Sequence, residues 1–232
     1  MAGLDQSAED FIAELKFLAD RSGPRVYVPS TGGGDRTEHV GRYRTHDVDI
    51  LDARVEWPET DLDREGFCLV AHHSAVEDFY DDHALHAVYH AELEALLERV
   101  TGAHRVEVFD DTRRSSSTAK QREHGSRDPA SIAHNDYTHS SGERRLRDFF
   151  ADAPGEAEQL AHRRFAIINA WRPIGAPVVD HPLVLCDATT VNDDDLLPVE
   201  RRGRDRIGEL QVALFDRDQR WYYYPRMTRD EV

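Results

Sequence analysis

The sequence predicts an α+β chain whose later part closes into a β-sandwich or barrel. Two observations carry that expectation. Helical periodicity is gathered before residue 163, at 8–20, 75–101 and 140–162, whereas strand-like runs follow one another from 164 to 225. No internal repeat interrupts this order, and 232 residues suffice for one substantial core. The expected organisation is a single domain over 1–232 in which 110–131 is a flexible loop or lid.

The elements are justified in turn. Phe11, Ile12, Leu15 and Leu18 are spaced for a short amphipathic helix over 8–20. The run Thr31-Gly32-Gly33-Gly34-Asp35 lacks the spacing of a phosphate-cradling motif, and no apolar helix follows it, so it reads as a flexible loop. Residues 46–57 alternate polar and apolar as a half-buried strand does, and 66–72 is a second strand candidate. Over 75–101, Phe79, Leu85, Val88, Tyr89, Leu93, Leu96, Leu97 and Val100 form one apolar helical face, with Gly102 placed to cap it. His72, His73, His83, His86 and His90 accompany that helix; with no pair-plus-base motif among them, they read as solvated or packed histidines. Residues 104–109 then read as a strand.

From Asp110 to Ser131 apolar residues almost vanish and Arg113, Arg114, Lys120, Arg122 and Arg127 accumulate, the composition of a solvated loop or of a lid suited to an anionic ligand. Ser140-Ser141-Gly142-Glu143 is placed to cap a helix through Leu146 and Phe149, and Gly155–His162 forms another. Strands are expected at 164–171, 182–187, 207–215 and 220–225, with Asp216-Arg217-Asp218-Gln219 as the hairpin loop between the last two. The acidic run Asp193-Asp194-Asp195 lacks the glycine and distal Glu of a calcium loop.

Charge and cysteine usage narrow the function classes. With 29 basic against 45 acidic residues the net charge is −16, which argues against nucleic acid or an anionic membrane as partner. Cys68 and Cys186 lie in apolar runs, as free thiols of a reducing, cytoplasmic protein would. The N-terminus carries no basic signal-like region and no run is long and apolar enough for a membrane span.

One short segment carries metal chemistry. In Ala133-His134-Asn135-Asp136-Tyr137-Thr138, an extended backbone would put His134 and Asp136 on the same face, joining a neutral nitrogen to an anionic oxygen. Such a pair is two thirds of the facial His-carboxylate-His set of non-haem iron oxygenases. The spacing alone equally describes a hydrogen-bonded surface pair.

Six ordered blocks add to this: Leu62-Asp63-Arg64-Glu65-Gly66-Phe67, Thr101-Gly102-Ala103-His104-Arg105-Val106, His134-Asn135-Asp136-Tyr137-Thr138, Asn169-Ala170-Trp171-Arg172-Pro173-Ile174, Pro182-Leu183-Val184-Leu185-Cys186-Asp187 and Trp221-Tyr222-Tyr223-Tyr224-Pro225. Together the chain resembles the AsaB-like hydroxylase/desaturase family, related to 7-alpha-cephem-methoxylase-like and gibberellin desaturase-like proteins. The resemblance implies a double-stranded β-helix, a jelly-roll or cupin-like barrel, with N-terminal helices. It implies an oxidoreductase using Fe(2+) and 2-oxoglutarate to hydroxylate or desaturate a small secondary metabolite.

It also implies that His134 and Asp136 are the first two iron ligands. In this family a second histidine and a 2-oxoglutarate-clamping arginine follow the Met-Thr-x-Asp-Glu segment, here Met227 to Glu231, whereas the sequence ends at Val232. The barrel is therefore expected to be C-terminally incomplete, with His181 as the internal candidate for third ligand. Tyr137, Asn169, Trp171 and Arg172 are the candidate cosubstrate or substrate contacts; for Arg172 the competing expectation is an ion pair with Asp180 or Asp187. Two other functions stay open: a ligand-binding or inactive barrel remnant, and a metal-dependent hydrolase using His134, Asp136 and another histidine.

Overall fold

A computed structural model describes residues 9–34, 36–57, 59–203 and 207–232. Among these described residues, nine strands form two sheets. β1 (Phe11–Leu18), β4 (Tyr43–Asp52), β9 (Trp221–Tyr223) and β6 (Val184–Cys186) lie side by side in that order. The second sheet runs β3 (Glu38–Val40), β2 (Val26–Val28), β7 (Leu196–Arg202), β8 (Ile207–Ala213), β5 (His134–Asn135). Bridges Leu18↔Leu214 and Lys16↔Ile132 stitch β1 to the β8/β5 side, so the sheets curl toward each other along that seam. This is the curled, jelly-roll arrangement of a double-stranded β-helix.

The helix expected at 8–20 is instead β1, and Ala8 lies outside the described residues. The stretch satisfies two periods. The one realised puts Ala13, Leu15 and Phe17 against the core and leaves Ile12 67% exposed. Eight register pairs from Phe11↔Ile50 to Leu18↔Tyr43 bind β1 to β4, and burial of Phe17 contributes about 2 kcal/mol. Tertiary pairing thus overrides a helical spacing supported by only four residues.

Beneath the seam, Phe17, Val48, Ile50, Ala213, Trp221 and Tyr223 pack as one cluster, and Leu18, Ile132, Leu197, Val199, Leu210 and Val212 as another. β9 lies between β4 and β6, which is why its three aromatic residues are all buried. β8 and β9 do not form the expected hairpin. They belong to different sheets, and the turn at Asp216 to Gln219 carries the chain across between them. β7 lacked a sequence signal because Pro198 interrupts its alternation; seven pairs to β8 hold it in place.

Helices cover the sheets. A continuous helical run comprises α2 (Asp82–Ala84), a π-turn at Leu85–Tyr89 and α3 (His90–Thr101), and it ends where Gly102 takes the left-handed conformation at φ 69°. Its buried face is Leu85, Tyr89, Leu93 and Leu96, packed on Val76 and Phe79. α1 (Ala53–Glu56) is capped by Asp52. α5 (His139–Phe149) and α6 (Pro154–Ala161) follow the HND segment, with Thr138 rather than Ser140 as the cap of α5. The stretches 66–72, 104–109 and 164–171 form no strand, with one bridge, Ala71↔Glu231; their apolar residues pack on helices and clusters instead of on a ladder.

The 110–131 segment is not bare loop. It holds α4 (Thr118–His124), and its two ends pair through Ser115 N–H to the Arg127 carbonyl and Arg127 N–H to the Arg113 carbonyl. The glycine run packs against it: at Gly32, φ 90°, an added Cβ would stand 2.1 Å from the Gly125 carbonyl oxygen. Asp35 of that run lies outside the described residues.

Candidate metal centre at the barrel seam

β5 is two residues long, yet it is fastened on both sides. His134 pairs with Val212 and Asn135 with Gln211, while Ala133 donates to the Lys16 carbonyl and its own carbonyl accepts from Ala213. The strand stops where Asn135 turns its amide to the Tyr137 carbonyl and the Gln211 side chain. Thr138 then opens α5 with a capping box to Ser141, whose hydroxyl donates to the Glu209 carbonyl of β8. The HND segment is thus held between two strands and one helix N-terminus.

Within it, His134 and Asp136 point to the same side, as their spacing requires. His134 Nε2 lies 3.3 Å from Asp136 Oδ1. His134 Nδ1 is 2.7 Å from the Ile132 carbonyl oxygen, an acceptor, so Nδ1 carries a hydrogen there and Nε2 is the ring nitrogen that faces the Asp136 carboxylate. Asp136 Oδ2 accepts from the Asn169 amide at 2.7 Å.

Electrostatics sharpen the pair. Burial of His134 disfavours its charged form, but the Asp136 carboxylate and the Ile132 carbonyl outweigh burial and hold its pKa above the ordinary value. Asp136 is held down at about 2, first by the hydrogen bond to His134, against the opposing effect of burial, with Asn169 and the Arg114 charge assisting. Asp136 is therefore a carboxylate throughout the neutral range, and an imidazole nitrogen beside it gives a donor set suited to ferrous iron.

Other candidates are placed as follows. Asn169 belongs to the site through Asp136. Tyr137 is half-buried beside it, packed over Gly142, where any side chain would meet both Tyr137 and Ile167. Trp171 lies elsewhere, against the cluster of Ala53, Phe67, Tyr222, Tyr224 and Met227. Arg172 is 9% exposed and fully engaged: Nε donates to the Tyr89 hydroxyl, and the terminal nitrogens donate to the Arg229 carbonyl and to Nδ1 and the carbonyl of His72. Neither expected acidic partner holds it, since Asp187 is taken by Arg220 at 3.0 Å. His181 sits in a turn at φ 47°, 60% exposed, with Nδ1 3.4 Å from Asp180. The strand that follows it, β6, is the edge of the first sheet remote from the seam, so His181 is not brought to His134 and Asp136. Among the described residues, no third His, Cys, Asp or Glu converges on the pair.

One residue was missed by sequence reasoning. His39, on the three-residue β3, lines a small cavity together with His134, Tyr27, Thr37 and Asp128. Its Nδ1 is buried without a hydrogen-bond partner among the described residues, and burial, followed by the charges of Lys16 and His134, lowers its pKa. No motif surrounds it; only the pairing of β3 with β2 brings it in.

A family model described as an oxidoreductase/YMDC permease-like domain matches residues 15–232. The chain belongs to this family. Among curated relatives, the hydroxylase/desaturase CTB9 of Cercospora beticola is 30% identical over 213 residues, covering 82% of the chain and 64% of the relative. The Fe(II)/2-oxoglutarate-dependent dioxygenase nvfI of Aspergillus novofumigatus is 29% identical over 230 residues, covering 95% and 80%. A solved structure of the iron and alpha-ketoglutarate-dependent endoperoxidase NvfI superposes with a TM-score of 0.77 at 26% identity, covering 96% of the chain and 82% of that structure. The AsaB-like hydroxylase/desaturase resemblance and its double-stranded β-helix are thereby established, and the relatives nvfI and its solved structure are by name dependent on iron and 2-oxoglutarate.

Proposed function

We propose that this chain is a non-haem iron(II)/2-oxoglutarate-dependent hydroxylase or desaturase of a small secondary metabolite, working in the cytoplasm as a single domain. The observation that carries the reading is the convergence of His134 Nε2 and Asp136 Oδ1 at 3.3 Å, with Nδ1 of the same ring tied to the Ile132 carbonyl. No helix of the described residues is long and apolar enough to cross a membrane, which fits a small-molecule enzyme working in the aqueous phase.

Bound iron, with 2-oxoglutarate and dioxygen, supplies the oxidising power for breaking a substrate C–H bond. The chain's residues do the rest. His134 and Asp136 would hold the ion, and Asn169 fixes the carboxylate by donating to Oδ2, which leaves Oδ1 free to serve. Arg114 contributes positive charge at the pair, which favours approach of a dicarboxylate cosubstrate. Tyr137 shields one side of the site as a half-buried aromatic.

The test is anaerobic iron(II) titration of the wild type and of His134→Ala and Asp136→Ala, with succinate formation from 2-oxoglutarate as second readout. Both variants are expected to lose iron binding while keeping their far-ultraviolet circular dichroism. Unaltered iron affinity in both rejects the site. A folded wild type that binds iron yet never consumes 2-oxoglutarate favours the barrel-remnant reading.

A further inference from the structure

The histidines read from sequence as solvated or packed include two that the fold brings to one carboxylate. His86 lies in the π-turn and His90 opens α3, one helical step apart on the same face, with ring centroids 4.9 Å apart. Both aim Nε2 at one oxygen of Asp111, the first residues of the basic 110–131 segment having been folded back onto this helix. His86 Nε2 is 3.2 Å and His90 Nε2 3.7 Å from Asp111 Oδ2. One ligand atom from each of the three residues lies within 4.8 Å of the others.

We propose that His86, His90 and Asp111 form a second metal site, distinct from the His134/Asp136 pair, taking a zinc-class divalent transition ion. Three features support it. His90 Nε2 is buried and has no hydrogen-bond partner among the described residues, the condition of a ring nitrogen awaiting an acceptor of its lone pair. Two imidazoles and one carboxylate are the donors of a borderline ion, not of calcium or magnesium. Bonds of about 2.0–2.1 Å to such an ion set ligand separations of about 3.4 Å in a tetrahedron, so the observed distances need only small side-chain turns. His86 and Asp111 are 58% and 38% exposed, which leaves water free to complete the coordination.

The ion would act as a clamp. Asp111 is followed by Arg113, which pairs with Asp82 and lies over the Tyr80 ring, and by Arg114, whose charge reaches Asp136. Fixing Asp111 to the helix therefore fixes the segment that delivers Arg114 to the seam.

The experiment uses the full chain with His134→Ala and Asp136→Ala already in place, so that the seam pair contributes no binding, and cobalt(II) and zinc(II) alone as probes. One equivalent of cobalt with visible d–d absorbance is expected. Adding His90→Ala or Asp111→Ala should weaken binding by about 100-fold or more. Zinc at 100-fold over its Kd should raise the Tm by on the order of 5 °C, and this gain should vanish in the same variants. A folded background protein that binds no cobalt overturns the proposal, as does cobalt binding indifferent to both added substitutions. Because the seam ligands are removed throughout, the iron assignment stands or falls separately.

Discussion

Asn169 donates its side-chain amide to Asp136 Oδ2 at 2.7 Å, linking an extended segment on one side of the site to the short β5 on the other. The bond occupies the carboxylate oxygen that does not face His134, so Asp136 has one orientation in which both of its oxygens are satisfied.

Asn169→Ala should therefore weaken metal binding at the seam by about 10- to 100-fold while leaving the fold intact. Iron(II) or manganese(II) titration measures it. An affinity equal to wild type would mean that Asp136 is positioned by His134 alone.

Arg172 is a buried cation with no carboxylate partner among the described residues, held by Tyr89, Arg229 and His72 and stacked near the rings of Phe79 and Tyr89. Arg172→Ala leaves several buried acceptors unmatched and should cost about 3 kcal/mol, or roughly 10 °C in Tm. Arg172→Lys should recover little, because a point charge cannot serve a three-sided fork. Thermal unfolding decides it. Full stability in the lysine variant would return Arg172 to the pool of candidate ligand contacts.

His72 gives the stability a pH dependence of definite sign. Burial first, then the Arg172 guanidinium donating to Nδ1, lowers its pKa below 6.5 in the folded protein. The unfolded chain thus binds this proton more readily, so the contribution of His72 is complete above pH 6.5 and is lost as pH falls through the folded pKa. Urea unfolding at pH 7.5 and pH 5.5 should show lower stability at the acid end, and His72→Gln should flatten that difference. An unchanged slope in the variant would assign the acid sensitivity to other groups.

Cys186 is predicted to be inert. Burial pushes its thiol up to about 12, leaving about one molecule in ten thousand as thiolate at pH 8. Iodoacetamide should label native protein at Cys186 only after unfolding, as read by peptide mass. Rapid labelling in the native state would contradict its burial between β9 and the turn after β6.

Gly32→Ala should destabilise the glycine run against α4, since the new methyl would collide with the Gly125 carbonyl and φ 90° disfavours any side chain. A loss of about 1–3 kcal/mol is expected. Trypsin cleavage within 113–127 should accelerate in parallel; an unchanged rate would show that the contact does not hold the segment.

The shared face of His134 and Asp136 was legible because its geometry is local. Two residues apart in an extended chain, His134 and Asp136 share a face wherever that chain is placed, and the six ordered blocks supplied the family. The capped helix ending at Gly102 and the strands around 184–186, 207–213 and 221–223 were legible for the same reason: their signals lie within one element. Tertiary structure decided whatever depends on partners distant in sequence. It made 11–18 a strand by pairing it with 43–50, sent β8 and β9 to different sheets, and enclosed Arg172 among neutral acceptors. It also carried Asp111 back to His86 and His90, and His39 to the side of His134. A one-dimensional pattern can state which side chains share a face, but which faces meet is set by packing across the whole chain.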